Sequence, residues 1–248
     1  MTEIIYDFYW PVNGMATAGH GAIIDYAANG IVSYRARRRS PGFAIHTWSS
    51  RSNDATYGRG PYLPLLRNDR EYTLTADIDS EPEDTLGLSI NFVDAQGVNV
   101  QQILERTLDL TFTVPDGAVD YSIALVNLNN EHFKFYSLTL GQSNVLDGYR
   151  PVRLSTPGWH LWRNDRGGPA TVWIIPRSGP VVSRPFVPGG DNLYYQVPRQ
   201  EHDALEVGEF VNQVKRLVGP EPRVRGFGFG TSSIVAAVNK ALKADGGH

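Results

Sequence analysis

The sequence predicts an antiparallel β-sandwich over residues 1–142, followed by a small α/β module over residues 143–248. Three observations predict it. Apolar and polar residues alternate with period two between Tyr72 and Leu140, the mark of strands buried on one face. After Gly141 the pattern changes to short continuous apolar runs and to helical spacings of three and four. The charge also reverses: residues 1–144 hold 10 basic and 17 acidic side chains, and residues 145–248 hold 13 and 9. Opposite signs suit two modules that dock on each other or on different partners.

The first seventy residues are the least regular, with candidate strands at Ala22–Tyr26, Ile31–Ala36 and Gly42–Trp48 that would complete the two sheets. Tyr72, Leu74, Ala76 and Ile78 then alternate with Thr73, Thr75, Asp77 and Asp79, and Ser80 to Asp84 makes a polar turn. Leu86, Leu88, Ile90 and Phe92 form the next strand, closed by the turn residues Asp94-Ala95-Gln96-Gly97. Leu108, Leu110, Phe112 and Val114 follow until Pro115-Asp116-Gly117, and Tyr121–Leu128 with Phe133–Leu140 complete a hairpin around Asn129-Asn130-Glu131. No helical stretch interrupts these strands, which favours a sandwich, although a small barrel would alternate in the same way.

In the second module Val145 to Gly168 is rich in Pro, Gly, Arg and Trp, and Thr171–Ile175 and Leu193–Val197 read as buried strands. Val207, Phe210, Val211, Val214, Leu217 and Val218 place an amphipathic helix over about Ala204–Val218, ended by Gly219-Pro220. A strand over Arg223–Phe229 follows, and Thr231, Ser232 and Ser233 offer N-caps to a closing helix. Strand, helix, strand and helix predict a small parallel sheet with right-handed crossovers.

The 248 residues are 41% hydrophobic and 20% charged, enough for a real core, and contain no cysteine. That removes disulfides, Cys-ligated zinc, iron–sulfur clusters and thiol nucleophiles, and suits a reducing cytosol. The net charge of −3 is too balanced for a nucleic-acid binder. No run approaches the ~20 apolar residues of a membrane span, and Met1 to Trp10 is acidic and aromatic where a signal peptide is basic and then aliphatic. The chain therefore reads as cytosolic as synthesised. Arg35, Arg37, Arg38 and Arg39 form the one dense basic run, either a solvated strand end or a contact for an anionic lipid, a phosphate or an acidic partner.

The sharpest local feature is the Gly-rich turn around Arg223 to Ser233. A phosphate loop would need Gly-Lys-Ser/Thr, and a dinucleotide fingerprint would need different glycine spacing than Gly226, Gly228 and Gly230 provide. As a nucleophile elbow, Gly230-Thr231-Ser232-Ser233-Ile234 would make Ser232 the nucleophile of an esterase or acetyltransferase, but Ile234 replaces the closing small residue. In the register Gly228-Phe229-Gly230-Thr231-Ser232, glycine stands where the nucleophile belongs. Of the acid and base partners, Asp245 and His248 fall on the tail, and His160, His202 and Asp203 lie upstream of the serine. The six histidines, His20, His46, His132, His160, His202 and His248, are scattered, so no metal site and no cofactor is expected. The clusters Glu81-Pro82-Glu83-Asp84 and Asp77/Asp79 read as solubilising charge. Trp10, Trp48, Trp159 and Trp162 fall at loops or strand ends, where aromatic rings beside Asn and Asp can hold a sugar face. Trp48, with Asn127 and Asn129 as polar neighbours and Asn130 beside them, is the candidate glycan contact, and the apolar surroundings of Trp48 equally suit a core residue.

Five ordered pieces carry a resemblance: Ile45-His46-Thr47-Trp48-Ser49-Ser50, Leu63-Pro64-Leu65-Leu66, Tyr72-Thr73-Leu74, Ile90 to Gly97, and Tyr121 to Asn129. Over roughly residues 5–140 the chain resembles the family of the third accessory Sec system protein of Gram-positive bacteria. Residues 145–248 lie outside the resemblance. It implies a non-catalytic β-sandwich similar to carbohydrate-binding modules, which works with the other accessory Sec proteins and the Sec motor ATPase in exporting glycosylated serine-rich-repeat adhesins. It also implies a place in the cytoplasm, with peripheral contact at the inner face of the membrane. The alternative from the residues alone is a free-standing carbohydrate-binding module.

Overall fold

The computed structural model describes residues 3–12, 17, 19, 21–27, 30–37, 40–51, 63–154, 158–163, 168–176, 179–197, 204–219 and 221–244. The chain divides into two compact units: Tyr6–Asn144, and Met1–Ile5 together with Val145–His248. Sequence reading gave the first five residues to the sandwich alone.

The first unit holds β1 (Glu3–Phe8, from Tyr6 onward), β2 (Ala22–Tyr26), β3 (Val32–Ala36), β4 (Phe43–Ser49), β5 (Glu71–Glu81), β6 (Leu86–Val93), β7 (Asn99–Glu105), β8 (Asp109–Thr113), β9 (Asp120–Asn127) and β10 (His132–Gln142). The alternation of β5 does what it predicts, burying Tyr72, Leu74 and Ala76 and leaving Thr73, Thr75 and Asp77 on the other face. Strand β10 runs antiparallel to β5 along its whole length, from His132↔Glu81 to Gln142↔Tyr72, with an irregularity between Phe135 and Ser137. On its other edge β10 pairs first with β3 and then with Tyr6–Phe8 of β1, while β2 flanks β3 and β8 flanks β5. A second antiparallel sheet has the order β4-β9-β6-β7.

Aromatic rings join the two sheets. Trp48 of β4 stacks on Phe135 of β10 at 5.5 Å between centroids, and Phe92 of β6 meets Phe112 of β8 at 5.9 Å. Two facing sheets make this unit a sandwich and not a closed barrel. The predicted turn at Asp94-Ala95-Gln96-Gly97 is held by the Asp94 carboxylate, which accepts from the amides of Gln96 (2.9 Å) and Val98 (2.8 Å), with Gly97 at φ +81°. Strand β7 has no counterpart in the sequence reading, because as an edge strand it exposes nearly every residue and shows no apolar period.

The second unit holds a short helix α1 (Ser143–Leu146, from Val145 onward), β11 (Tyr149–Arg153), β12 (Gly158–Arg163), β13 (Thr171–Pro176), β14 (Val181–Phe186), β15 (Asn192–Val197), α2 (Ala204–Val218), β16 (Arg223–Gly226) and α3 (Ser232–Ala244). Its sheet has the order β11-β12-β15-β13-β16. Strand β13 is parallel to both β15 and β16, whereas β12 is antiparallel to β11 and β15. The sheet is thus mixed and not wholly parallel as expected, because the Pro- and Gly-rich stretch after Val145 forms the hairpin β11–β12. Helices α2 and α3 share one core with the sheet: Val172 and Ile174 of β13 and Leu193 and Tyr195 of β15 meet Phe210 and Val214 of α2 and Ile234 and Val238 of α3. Strand β16 stops at Gly226, three residues short of the predicted Phe229, because Gly228 and Gly230 take φ +94° and +78°.

Candidate functional site

The outer face of the larger sandwich sheet carries an open groove of about 820 Å³, lined among others by Ser33, Arg35, Asp79, Glu81, His132 and Lys134. Register builds it. Arg35, His132 and Glu81 are cross-strand neighbours on β3, β10 and β5, and Ser33, Lys134 and Asp79 form the next row. Because side chains alternate across a strand, both rows project from the same face. Cations on β3 and β10 thus stand beside carboxylates on β5. His132 Nε2 lies 3.9 Å from Glu81 Oε2 with both side chains mostly in water, so that contact adds little to stability. The Tyr136 hydroxyl donates to Asp79 Oδ2. The groove thus presents donors and acceptors in alternation at strand spacing, groups of the kind that pair with hydroxyls or with charged side chains.

A second feature lies at one end of the sandwich, where four of the ordered sequence pieces meet. The Leu63 amide donates to Ser49 O, the Tyr121 hydroxyl donates to Pro64 O at 2.8 Å, and Ser50 bridges to β9 through its donation to Asp120 Oδ1 and its acceptance from the Tyr121 amide. Burial, with Tyr72 close by, pushes the Tyr121 hydroxyl pKa well up, so it remains a donor. This frame holds Leu65 (83% exposed) and Val119 (52% exposed) outward around a small depression that also includes Leu66 and Phe92.

Two of the predicted glycan contacts, Trp48 and Asn127, are buried. Trp48 has no exposed surface, its Nε1 donates to Tyr9 O at 3.3 Å, and it packs on Phe135, so it offers a sugar no face. Trp10 is buried beside it, edge-on to Trp48 and stacked on His46 at 4.5 Å. Burial lowers the His46 pKa to about 3. Thr17 Oγ1 accepts from Trp10 Nε1 and lies 2.7 Å from His46 Nδ1, which leaves its hydroxyl proton for a neutral imidazole. Asn127 is buried too, its Oδ1 accepting from the amides of Asn129 (3.3 Å) and Asn130 (2.7 Å) to shape the hairpin. Asn129 is exposed at φ +123°. Ser232 is exposed in the first turn of α3. The side chains of Trp159, His160 and Trp162, and His20, Arg38, Arg39, His202, Asp203, Asp245 and His248, lie outside the described residues. Among the described residues no group of three His, Asp or Glu side chains could hold a metal ion, and no helix is long and apolar enough to cross a membrane.

The groove escaped the sequence reading because its acidic half was taken as solubilising charge. The signal was available in the hairpin partners: pairing Phe133–Leu140 with Tyr72–Ile78 sets His132 opposite Glu81 and Lys134 opposite Asp79.

Two facing antiparallel sheets, with paired charges on an open face of the larger, define a β-sandwich module. The chain belongs to the family described as Accessory Sec secretory system ASP3, whose model matches residues 18–142, and is accordingly an accessory secretion factor. The accessory Sec system protein of the same designation from Streptococcus gordonii is 32% identical over 121 residues, covering 49% of this chain and 76% of the relative. Its counterpart from Staphylococcus aureus (strain NCTC 8325 / PS 47) is 25% identical over 158 residues, and the chain spans about half (49%) of its length. Among solved structures, a chain in the crystal structure of accessory secretory protein 1,2 and 3 in Streptococcus pneumoniae is similar at TM-score 0.52 and 26% identity, over 55% of this chain and 94% of that one. A chain of the Glycosylation Associate Protein (Gap123) complex from Streptococcus agalactiae shares the fold over 98% of this chain and 89% of its own, at TM-score 0.54 and 15% identity.

Proposed function

We propose that this protein is a non-catalytic scaffold of the accessory Sec pathway, which binds other accessory Sec proteins and the glycosylated serine-rich-repeat adhesin during export. The observation that carries the reading is one of position: the residues matched by the family, 18–142, include every side chain named in the groove and in the Leu65–Val119 end. The similar pneumococcal chain comes from a crystal structure of accessory secretory protein 1,2 and 3, which supports a complex of the same kind here. The apolar end, with Leu65 in water, suits a protein partner, because an exposed apolar cluster gains by being covered. The polar groove suits the sugar-bearing substrate. Action beside the Sec motor ATPase would place the protein in the cytoplasm, at the inner face of the membrane.

Co-expression with its genomic neighbours, followed by sizing, tests the scaffold. A stable heteromeric complex is expected, weakened by Leu65→Glu and left intact by Lys134→Glu. Elution of the chain alone, with micromolar binding on a glycan array lost in Lys134→Glu, would instead make it a free-standing carbohydrate-binding module.

A further inference from the structure

The second unit carries a feature that the proposed scaffold role does not use. Its sheet opens with an antiparallel hairpin, β11–β12, and then β15, β13 and β16 run parallel to one another, with β13 between the other two. Helix α2 links β15 to β16, a sharp glycine turn follows β16, and α3 then packs beside α2 on the same core. This is the arrangement of the first five strands of an α/β-hydrolase, in which the fifth strand ends in the nucleophile elbow, G-x-Nu-x-G, and a helix starts directly after it. The elbow needs small residues two before and two after the nucleophile, because strand and helix nearly touch there, and it needs a strained positive φ at the nucleophile itself.

Those requirements fix the register. A Cβ on Gly226 would lie 2.5 Å from Thr231 Oγ1 and 3.2 Å from Val235 Cγ2, so the small residue required before the nucleophile is Gly226. Gly230, at φ +78°, is the one required after it. The nucleophile position is therefore residue 228, a glycine at φ +94°. It is also roofed: a Cβ there would lie 3.0 Å from Cγ and 3.1 Å from Cδ of Pro176 at the end of β13. Ser232 stands four residues further on, within the helix. The turn is firmly held, since the Phe227 amide donates to Ile174 O, Thr231 Oγ1 donates to Gly228 O and the Val235 amide donates to Thr231 O. Phe229, next to the vacant position, is fully exposed.

We propose that the second unit is an acyl-transfer scaffold disarmed at its nucleophile: Gly228 occupies the position of the reactive side chain, Pro176 covers it, and Ser232 is a surface helix residue that forms no acyl-enzyme. The inference concerns a different unit from the groove and stands whether or not the groove takes a sugar.

The test uses the full chain. Wild type and Ser232→Ala are incubated with a fluorophosphonate probe and read by intact mass, and both are assayed for hydrolysis of an acetyl ester. Neither protein should gain the adduct, and both should hydrolyse the ester at the buffer rate. A wild-type adduct mapped to Ser232, or hydrolysis that Ser232→Ala abolishes, would overturn the proposal. The register is tested by thermal unfolding. Gly228→Ala should lower the Tm by roughly 5 °C or more, and Pro176→Ala in that background should return part of the loss, whereas Ser232→Ala should stay within about 1 °C of wild type. Gly228→Ala as stable as wild type, or a double variant without coupling, would remove residue 228 from the nucleophile position.

Discussion

The two units bury their strands differently, and the difference explains what each discloses in one dimension. In the sandwich β5 and β8 each have one wet face and write their burial as alternation. In the second unit β13 and β15 are buried on both faces and read as unbroken apolar runs. The sandwich core is held by aromatic rings reaching between sheets, with Trp48 and Phe135 at its centre. The second core packs a sheet against two helices, and the side chains of Thr231 and Val235 come close to Gly226 at the end of β16. Lost volume at Trp48 and added volume at Gly226 therefore probe the two cores in opposite senses.

Trp48→Ala should be the most damaging single change, costing about 4 kcal/mol through the cavity it leaves. Urea unfolding followed by a probe within Tyr6–Asn144 would show it, and a loss below 1 kcal/mol would contradict the aromatic core. Gly226→Ala should cost about 2–3 kcal/mol in the second unit, because the added methyl meets Thr231 and Val235. Thr231→Ser does not clear that contact and should not rescue it, whereas Thr231→Ala should.

The third test separates the units by pH. His46 is neutral in the folded protein, with a pKa lowered to about 3 from 6.5. The unfolded chain therefore binds more protons between those values, and the stability due to His46 is complete above about pH 6.5 and lost as pH falls toward 3. The contribution falls by about 1.4 kcal/mol per pH unit. His46→Gln should flatten the acid limb for the sandwich and leave that of the second unit unchanged. The smallest effect is expected for Asn127→Ala, about 1–2 kcal/mol from two lost amide partners in the β9–β10 turn.

Most of the sandwich was legible because one-sided burial prints itself on the sequence, and the two helices were legible from their spacing. What stayed hidden had physical reasons. Strand β7 is an exposed edge, β11 and β12 lie among Pro, Gly and Arg, and β1 buries Asp7 while exposing Ile4, against the usual pattern. The groove was hidden because its rows are assembled across β3, β10 and β5, so that no local window contains Arg35, His132 and Glu81 together. Trp48 was misassigned for the opposite reason: an indole is equally at home under a sugar and inside a core, and the interior packing around Ile45, His46 and Phe135 decides for the core. The glycine turn was noticed but read in two registers, Gly228–Ser232 and Gly230–Ile234. Only the close approach at Gly226 selects the one beginning there.

The division of the chain has a cost in folding. Residues 3–5 belong with Val145–His248, while everything between belongs to the other unit. Their contacts therefore close a loop as long as the whole sandwich, and contacts of such high sequence separation form late. Moving those residues to the C-terminus by circular permutation should shorten that loop, and faster recovery of the second unit after dilution from denaturant would report it.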